Sequence, residues 1–265
     1  MAVTIPRAAV DFLTDEINGI SADAQARVME VLQGIQWTPE NIAQCRDLVI
    51  QALSAVMPTY TTMAAQASAD FYDAARELVV GEKMGAQAIS GYDEAKTAGA
   101  VRAFVRFVVD GRVDTFNEQV LQRIDYEMKR SAGESMFANG RRDKRRPKYA
   151  RVPAGSETCD FCLMLASRGF VYSSEATGGA VKLDHYHSGC NCRVVCQWDD
   201  GGVEDYDTKA IYGRWQDSVD ALARERAEKR GTTVEEERDK IFRGYANSAK
   251  HAKKLARMRA GKSTA

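Results

Sequence analysis

Five of the chain's six cysteines and two of its three histidines fall between Cys159 and Cys196. The segment opens with Cys159-Asp-Phe-Cys162 and closes with His185-Tyr-His187-Ser-Gly-Cys190-Asn-Cys192. Thiolate and imidazole are the ligands that borderline-soft Zn²⁺ prefers, and a CxxC turn lets two sulfurs converge on one ion. A CxxC followed by HxHxxCxC therefore has the donor types and spacing of a tetrahedral zinc site. Such a site forces the chain on either side of the gap to meet.

Two other uses of these cysteines fit less well. A thioredoxin-like redox CxxC has no need of the HxHxxCxC that follows. A disulfide framework belongs to secreted chains, but the N-terminal Met1-Ala-Val-Thr-Ile-Pro-Arg7 lacks the apolar core of a secretory signal. No run approaches the roughly 18 consecutive apolar residues of a membrane span, so no membrane partner is expected. A reducing compartment, where cysteines hold metal more often than they pair, is the expectation.

Structural zinc takes four ligands. Cys159 and Cys162 are the first pair, and His187 with Cys190 completes a Cys₃His set. Cys192 is the alternate to Cys190. His185 is the alternate to His187, or a group bonded to a ligand. Cys196 reads as a buried strand cysteine beside Trp198. Cys45 belongs to an apolar helical stripe and reads as core.

The net charge of zero conceals four blocks. Residues 1–100 hold 6 Lys/Arg against 13 Asp/Glu, residues 101–151 hold 13 against 7, and residues 152–242 hold 11 against 17. The last 23 residues hold seven basic residues and no acid. The second block owes most of its charge to Arg141, Arg142, Lys144, Arg145, Arg146 and Lys148. Charge blocks of this kind are solvated faces or sites of phosphate contact. With no helix-turn-helix or RNA-binding aromatic signature beside them, any nucleic-acid contact would be nonspecific.

Apolar periodicity makes the first ~145 residues helical. Thr38-Pro39-Glu40 reads as a helix start, with Ile42, Cys45, Leu48, Val49, Ala52, Leu53 and Val56 facing inward until Pro58 stops it. Further helices are expected over Thr61–Val80, over Glu94–Val109, and from Asp114 with Phe116, Val120, Leu121, Ile124 and Met128 inward. Strands are expected at Lys148–Pro153, Gly169–Tyr172 and Cys192–Trp198, with a short helix from Cys159 to Ser167. Helix resumes after Asp205, and Thr232-Thr-Val-Glu235 resembles a capping box. The expected class is α+β: a helical region over 1–145, a small zinc-bound module over 146–200, and a helical basic tail over 201–265.

The order of basic strand, CxxC at a helix start and closing HxxCxC before a strand resembles the phage Mu F-type (MuF-like) minor head proteins, also called head morphogenesis proteins. The matching residues are Cys159, Cys162, His187, Cys190 and Cys192, followed by Arg193 and Val194-Val195. The longer stretch Arg151–Tyr172 is similar to the version in phages of actinobacteria. The resemblance covers residues ~100–200. It implies a minor capsid protein of the virion interior, acting with portal and capsid proteins in head assembly, DNA packaging or ejection, close to packaged DNA.

An enzyme is not expected. A zinc deaminase needs HxE ahead of PCxxC, and here the CxxC comes first with no such Glu. A closed Cys₃His shell leaves no position for a reactive water. The alternatives are a zinc-dependent nucleic-acid-binding protein, or a nuclease using His185 as base.

Overall fold

The computed structural model describes residues 2–154, 158–172 and 192–244. Four long helices come first: α1 (Arg7–Gln33), α2 (Ile42–Val80), α3 (Glu94–Val109) and α4 (Val113–Arg142). Strand β1 (Lys148–Pro153), short helix α5 (Asp160–Ala166), strand β2 (Cys192–Gln197) and helix α6 (Thr208–Arg230) follow. Residues 234–244 are helical as well. The class is α+β, mostly helical with a two-stranded antiparallel sheet among the described residues.

Helix α1 buries Val10, Leu13, Ile17, Ala24, Val28 and Leu32, a stripe at helical spacing. It faces α2 and α4, which also pack on each other. On α4 the inward residues Phe116, Val120, Ile124 and Met128 are buried as the period requires. Helix α3 has the expected bounds, and Asp93 caps it by accepting the Lys96 N–H at 3.1 Å.

Two expectations about the second helix are corrected. It begins at Ile42 rather than at Pro39, because Thr38–Asn41 closes a turn instead, with the Thr38 N–H on Asn41 Oδ1 at 2.9 Å. Pro58 does not stop it; α2 runs unbroken to Val80. Just past the proline, Thr61 Oγ1 donates to the Met57 carbonyl and Thr62 Oγ1 to that of Pro58, both at 2.8 Å, i−4 back-bonds that keep these hydroxyls on the helix itself. Packing of Val49, Leu53 and Met57 before the proline and of Tyr60, Ala64, Ala65 and Phe71 after it holds both halves on one axis. Leu48, expected inward, is 45 % exposed. Gly81 ends the helix in the left-handed conformation, φ 91°.

One 18-residue window of α2 reaches mean hydropathy 1.2, a value compatible with a membrane span by length and composition. That apolarity has another use here, since α1 and α4 both pack along this helix.

Strands β1 and β2 pair antiparallel with Lys148 opposite Gln197 and Pro153 opposite Cys192. The third expected strand, Gly169–Tyr172, is reduced to a single bridge between Tyr149 and Tyr172. Gly169, where the chain leaves α5, is left-handed, φ 67°. All six residues of β2 are buried, and the strand contacts α4, α2 and α1. The sheet therefore draws support from the helices. Val3 and Ile5 are tied to the loop after β2: Val3 N donates to Asp199 Oδ2 at 2.9 Å and Ile5 N to the Gly202 carbonyl at 2.9 Å.

At the other end, Asp207 caps α6 and Gly231 terminates it. The capping box is shifted one residue from expectation. Thr233 Oγ1 accepts the Glu236 N–H, and Glu236 Oε2 accepts the Thr233 N–H, each at 3.2 Å.

Candidate metal centre

The CxxC lies at the start of α5. Cys159 is in extended conformation and occupies the N-cap of α5, so its side chain lies beside the first-turn N–H groups. Cys162 N donates to Cys159 Sγ at 3.5 Å. That bond folds the four residues into a tight turn. Cys162 is 1 % exposed, on the face of α5 that carries Leu163 and Ala166 into the core. Asp160 at the helix start accepts from Ser218 of α6, which fastens the turn to a second helix.

Cys192 opens β2, opposite Pro153, and is also 1 % exposed. It shares a strand face with Val194 and Cys196, since residues two apart point the same way. Cys196 is completely buried, and burial pushes its thiol well above the ordinary cysteine range, as a core residue requires. Cys45 is buried too, in agreement with its place in the apolar stripe. No disulfide joins any two of the five described cysteines.

His185, His187 and Cys190 lie outside the described residues. Among the described residues no group of three or more His, Cys, Asp or Glu side chains gathers as a metal cage. Among the described residues the thiols of the expected ligand set are Cys159 and Cys162, joined by the N–H···S bond at the start of α5, and Cys192, which opens β2.

Periodicity gave no hint of a buried polar hub beneath the sheet. Asp143, just past α4, is 3 % exposed. Its Oδ2 accepts from Tyr72 Oη, Arg76 Nε and Trp198 Nε1, each at 2.9 Å, and its Oδ1 from Arg145 N at 2.8 Å. Burial alone would raise this carboxyl. The Arg76 guanidinium, the Arg145 N–H, the Trp198 indole and the Tyr72 hydroxyl outweigh it and hold the group below the usual carboxylate range. The hub joins α2, the end of α4 and the residue after β2. The one visible clue was an isolated Asp inside the run Arg141–Arg146.

The basic residues themselves are exposed: Arg141 and Arg142 in the last turn of α4, then Lys144, Arg145, Arg146 and Lys148. Two other arginines, Arg151 and Arg193, are buried within the strands. Arg193 Nη2 reaches α1, donating to Asn18 Oδ1 at 2.9 Å and to the Thr14 carbonyl at 3.3 Å.

A family model described as VG15 protein matches residues 4–218, from the N-terminal segment into the first half of α6. The chain belongs to the VG15 family. A relative of this VG15 member is the Gene 15 protein of Mycobacterium phage D29, 33 % identical over 92 residues, which cover 25 % of this chain and 32 % of that protein. The chain thus spans about a third of the curated relative it matches. No solved structure matches. Family and relative together mark the chain as a phage gene product.

Proposed function

We propose that this VG15 member is a MuF-like minor head protein. It would be carried in the virion interior, act with portal and capsid proteins during head assembly, DNA packaging or ejection, and be held together locally by a structural zinc. The carrying observation is the CxxC turn at the start of α5, with Cys162 N on Cys159 Sγ, set between β1 and β2. This is the strand, CxxC helix and strand order of the resemblance, and a phage family is consistent with it. Cys159, Cys162, His187 and Cys190 would hold the ion, with Cys192 and His185 as alternates. Zinc there would tie α5 to the chain entering β2 and contribute folding free energy locally, without catalysis.

The test is co-expression with the portal and major capsid proteins of the same phage. The proposal expects the chain to purify with assembled heads, and expects purified protein to leave nucleic acid uncut. Absence from assembled heads, or zinc-dependent nuclease turnover abolished by His185→Ala with folding intact, would overturn it.

A further inference from the structure

The turn between α4 and β1 is built more firmly than a solvated charge run needs to be. Arg146 N donates to the Asp143 carbonyl at 3.1 Å, closing the turn, and Arg145 N donates to Asp143 Oδ1. The carboxylate that organises the turn is the buried one gripped by Tyr72, Arg76 and Trp198. Arg146 is left-handed at φ 49°, one of two described non-glycine residues with positive φ, and it directly precedes a proline. A side-chain-bearing residue adopts this conformation only where its surroundings impose it. Pro147 is buried behind it, and the Tyr149 hydroxyl lies against Gly140. A rigid stem thus presents six basic side chains to solvent.

Few acids balance them. Arg141 pairs with Glu134 at 3.0 Å, and Lys148 lies 3.9 Å from the exposed Asp200. Arg142 Nη1 donates to Asn139 Oδ1. Lys144, Arg145 and Arg146 make no ion pair among the described residues. Nor does any large exposed apolar side chain lie between Glu134 and Pro153. A protein partner would want apolar or aromatic anchors at the centre of such a patch. A phosphate backbone wants clustered, arginine-rich positive charge held in place.

We propose that the Arg141–Lys148 turn is a docking surface for the phosphate backbone of duplex DNA, read without regard to sequence. It deepens the head-protein reading and rests on that reading only for packaged DNA being the duplex encountered. The surface contributes position and charge, and the preordered turn spares the ordering cost that a flexible basic tail would carry.

The test uses the full chain, purified without chelator, and a fluorescein-labelled 30-base-pair duplex followed by anisotropy over a salt series. The triple variant Lys144→Ala/Arg145→Ala/Arg146→Gly removes three exposed charges, with glycine suited to the left-handed position. Each lost phosphate contact should lower the slope of log affinity against log salt by about 0.9, so a drop of about 2 to 3 is expected, equal on two unrelated sequences. Arg145→Glu alone, measured alongside, covers the case of a triple variant that melts early. Wild-type affinity and slope in both variants would overturn the proposal. So would binding abolished only by neutralising the seven basic residues after 242, or equal displacement of the duplex by polyglutamate at matched charge. Failure to enter heads would refute the head-protein reading while leaving this assay's result in force.

Discussion

Asp143→Ala should be among the most destabilising single substitutions in this chain. It deletes the acceptor for three side-chain donors at 2.9 Å and one backbone N–H at 2.8 Å, all at a site almost sealed from water. The heaviest consequence falls on Arg76, whose side chain is 7 % exposed. Its remaining partners are the Glu82 carbonyl at 2.7 Å and the exposed Glu82 carboxylate at 3.4 Å. Removing one member of a buried ion pair costs about 3–5 kcal/mol, mostly from stranding the other charge. In a chain of this size each kcal/mol moves Tm by roughly 2–4 °C, so the expected fall is about 6–20 °C. Thermal unfolding by circular dichroism at pH 7 reads it directly, with urea unfolding to check that the m-value is unchanged. The double variant Arg76→Met/Asp143→Leu should recover much of the loss, because neither charge is then left alone. A loss under about 1 kcal/mol for Asp143→Ala, or strict additivity of Arg76→Met and Asp143→Leu, would refute the reasoning.

The same hub sets an acid limb. Because the folded state holds the Asp143 carboxyl below the unfolded value of about 3.9, its contribution is complete above that pH and is lost as pH falls through the folded value. Tm measured between pH 7 and pH 2 should therefore fall less steeply in Asp143→Ala than in wild type; equal slopes would contradict the assignment. Gly140→Ala should destabilise by about 1–3 kcal/mol despite alanine's better helix propensity, since a Cβ there would meet Tyr149 Oη at 1.6 Å and Pro147 Cγ at 3.2 Å. A stabilised Gly140→Ala protein would show that the ring moves aside freely. Pro58→Ala should raise stability by about 1–2 kcal/mol, as it restores an N–H at an exposed position inside α2 while adding some unfolded-state entropy. Denaturation midpoints check both.

Much of the helical scaffold was readable because its signals are local. The bounds of the Glu94–Val109 helix follow from its apolar stripe, the Lys148–Pro153 strand from an extended run ended by its proline, and the Cys192–Gln197 strand, expected to Trp198, from its β-branched centre. Pro58 misled because the rule against proline in a helix concerns local cost. Tertiary packing of Tyr60, Ala64 and Phe71 outweighs it. Thr38-Pro39 misled in the opposite sense, since the same residues also suit the turn that precedes the helix.

For the candidate site, the CxxC spacing foretold both the helix start and the proximity of its two cysteines, a four-residue matter. Spacing could not choose between Cys190 and Cys192, because in extended chain residues two apart share a face. Beyond the isolated Asp in the run Arg141–Arg146, the Asp143 hub was not legible. Its members Tyr72, Arg76, Asp143 and Trp198 come from distant parts of the chain, and no short-range pattern links them.

The central claim, a zinc held by the CxxC and the HxHxxCxC segment, is tested most directly by counting bound zinc per chain in protein purified without chelator, in wild type, Cys162→Ser and His187→Ala. The account predicts one zinc per chain in wild type and marked loss in both variants, with a lowered Tm for the portion around α5 and β2. Wild-type protein that holds no zinc, or variants that keep it in full, would contradict the claim.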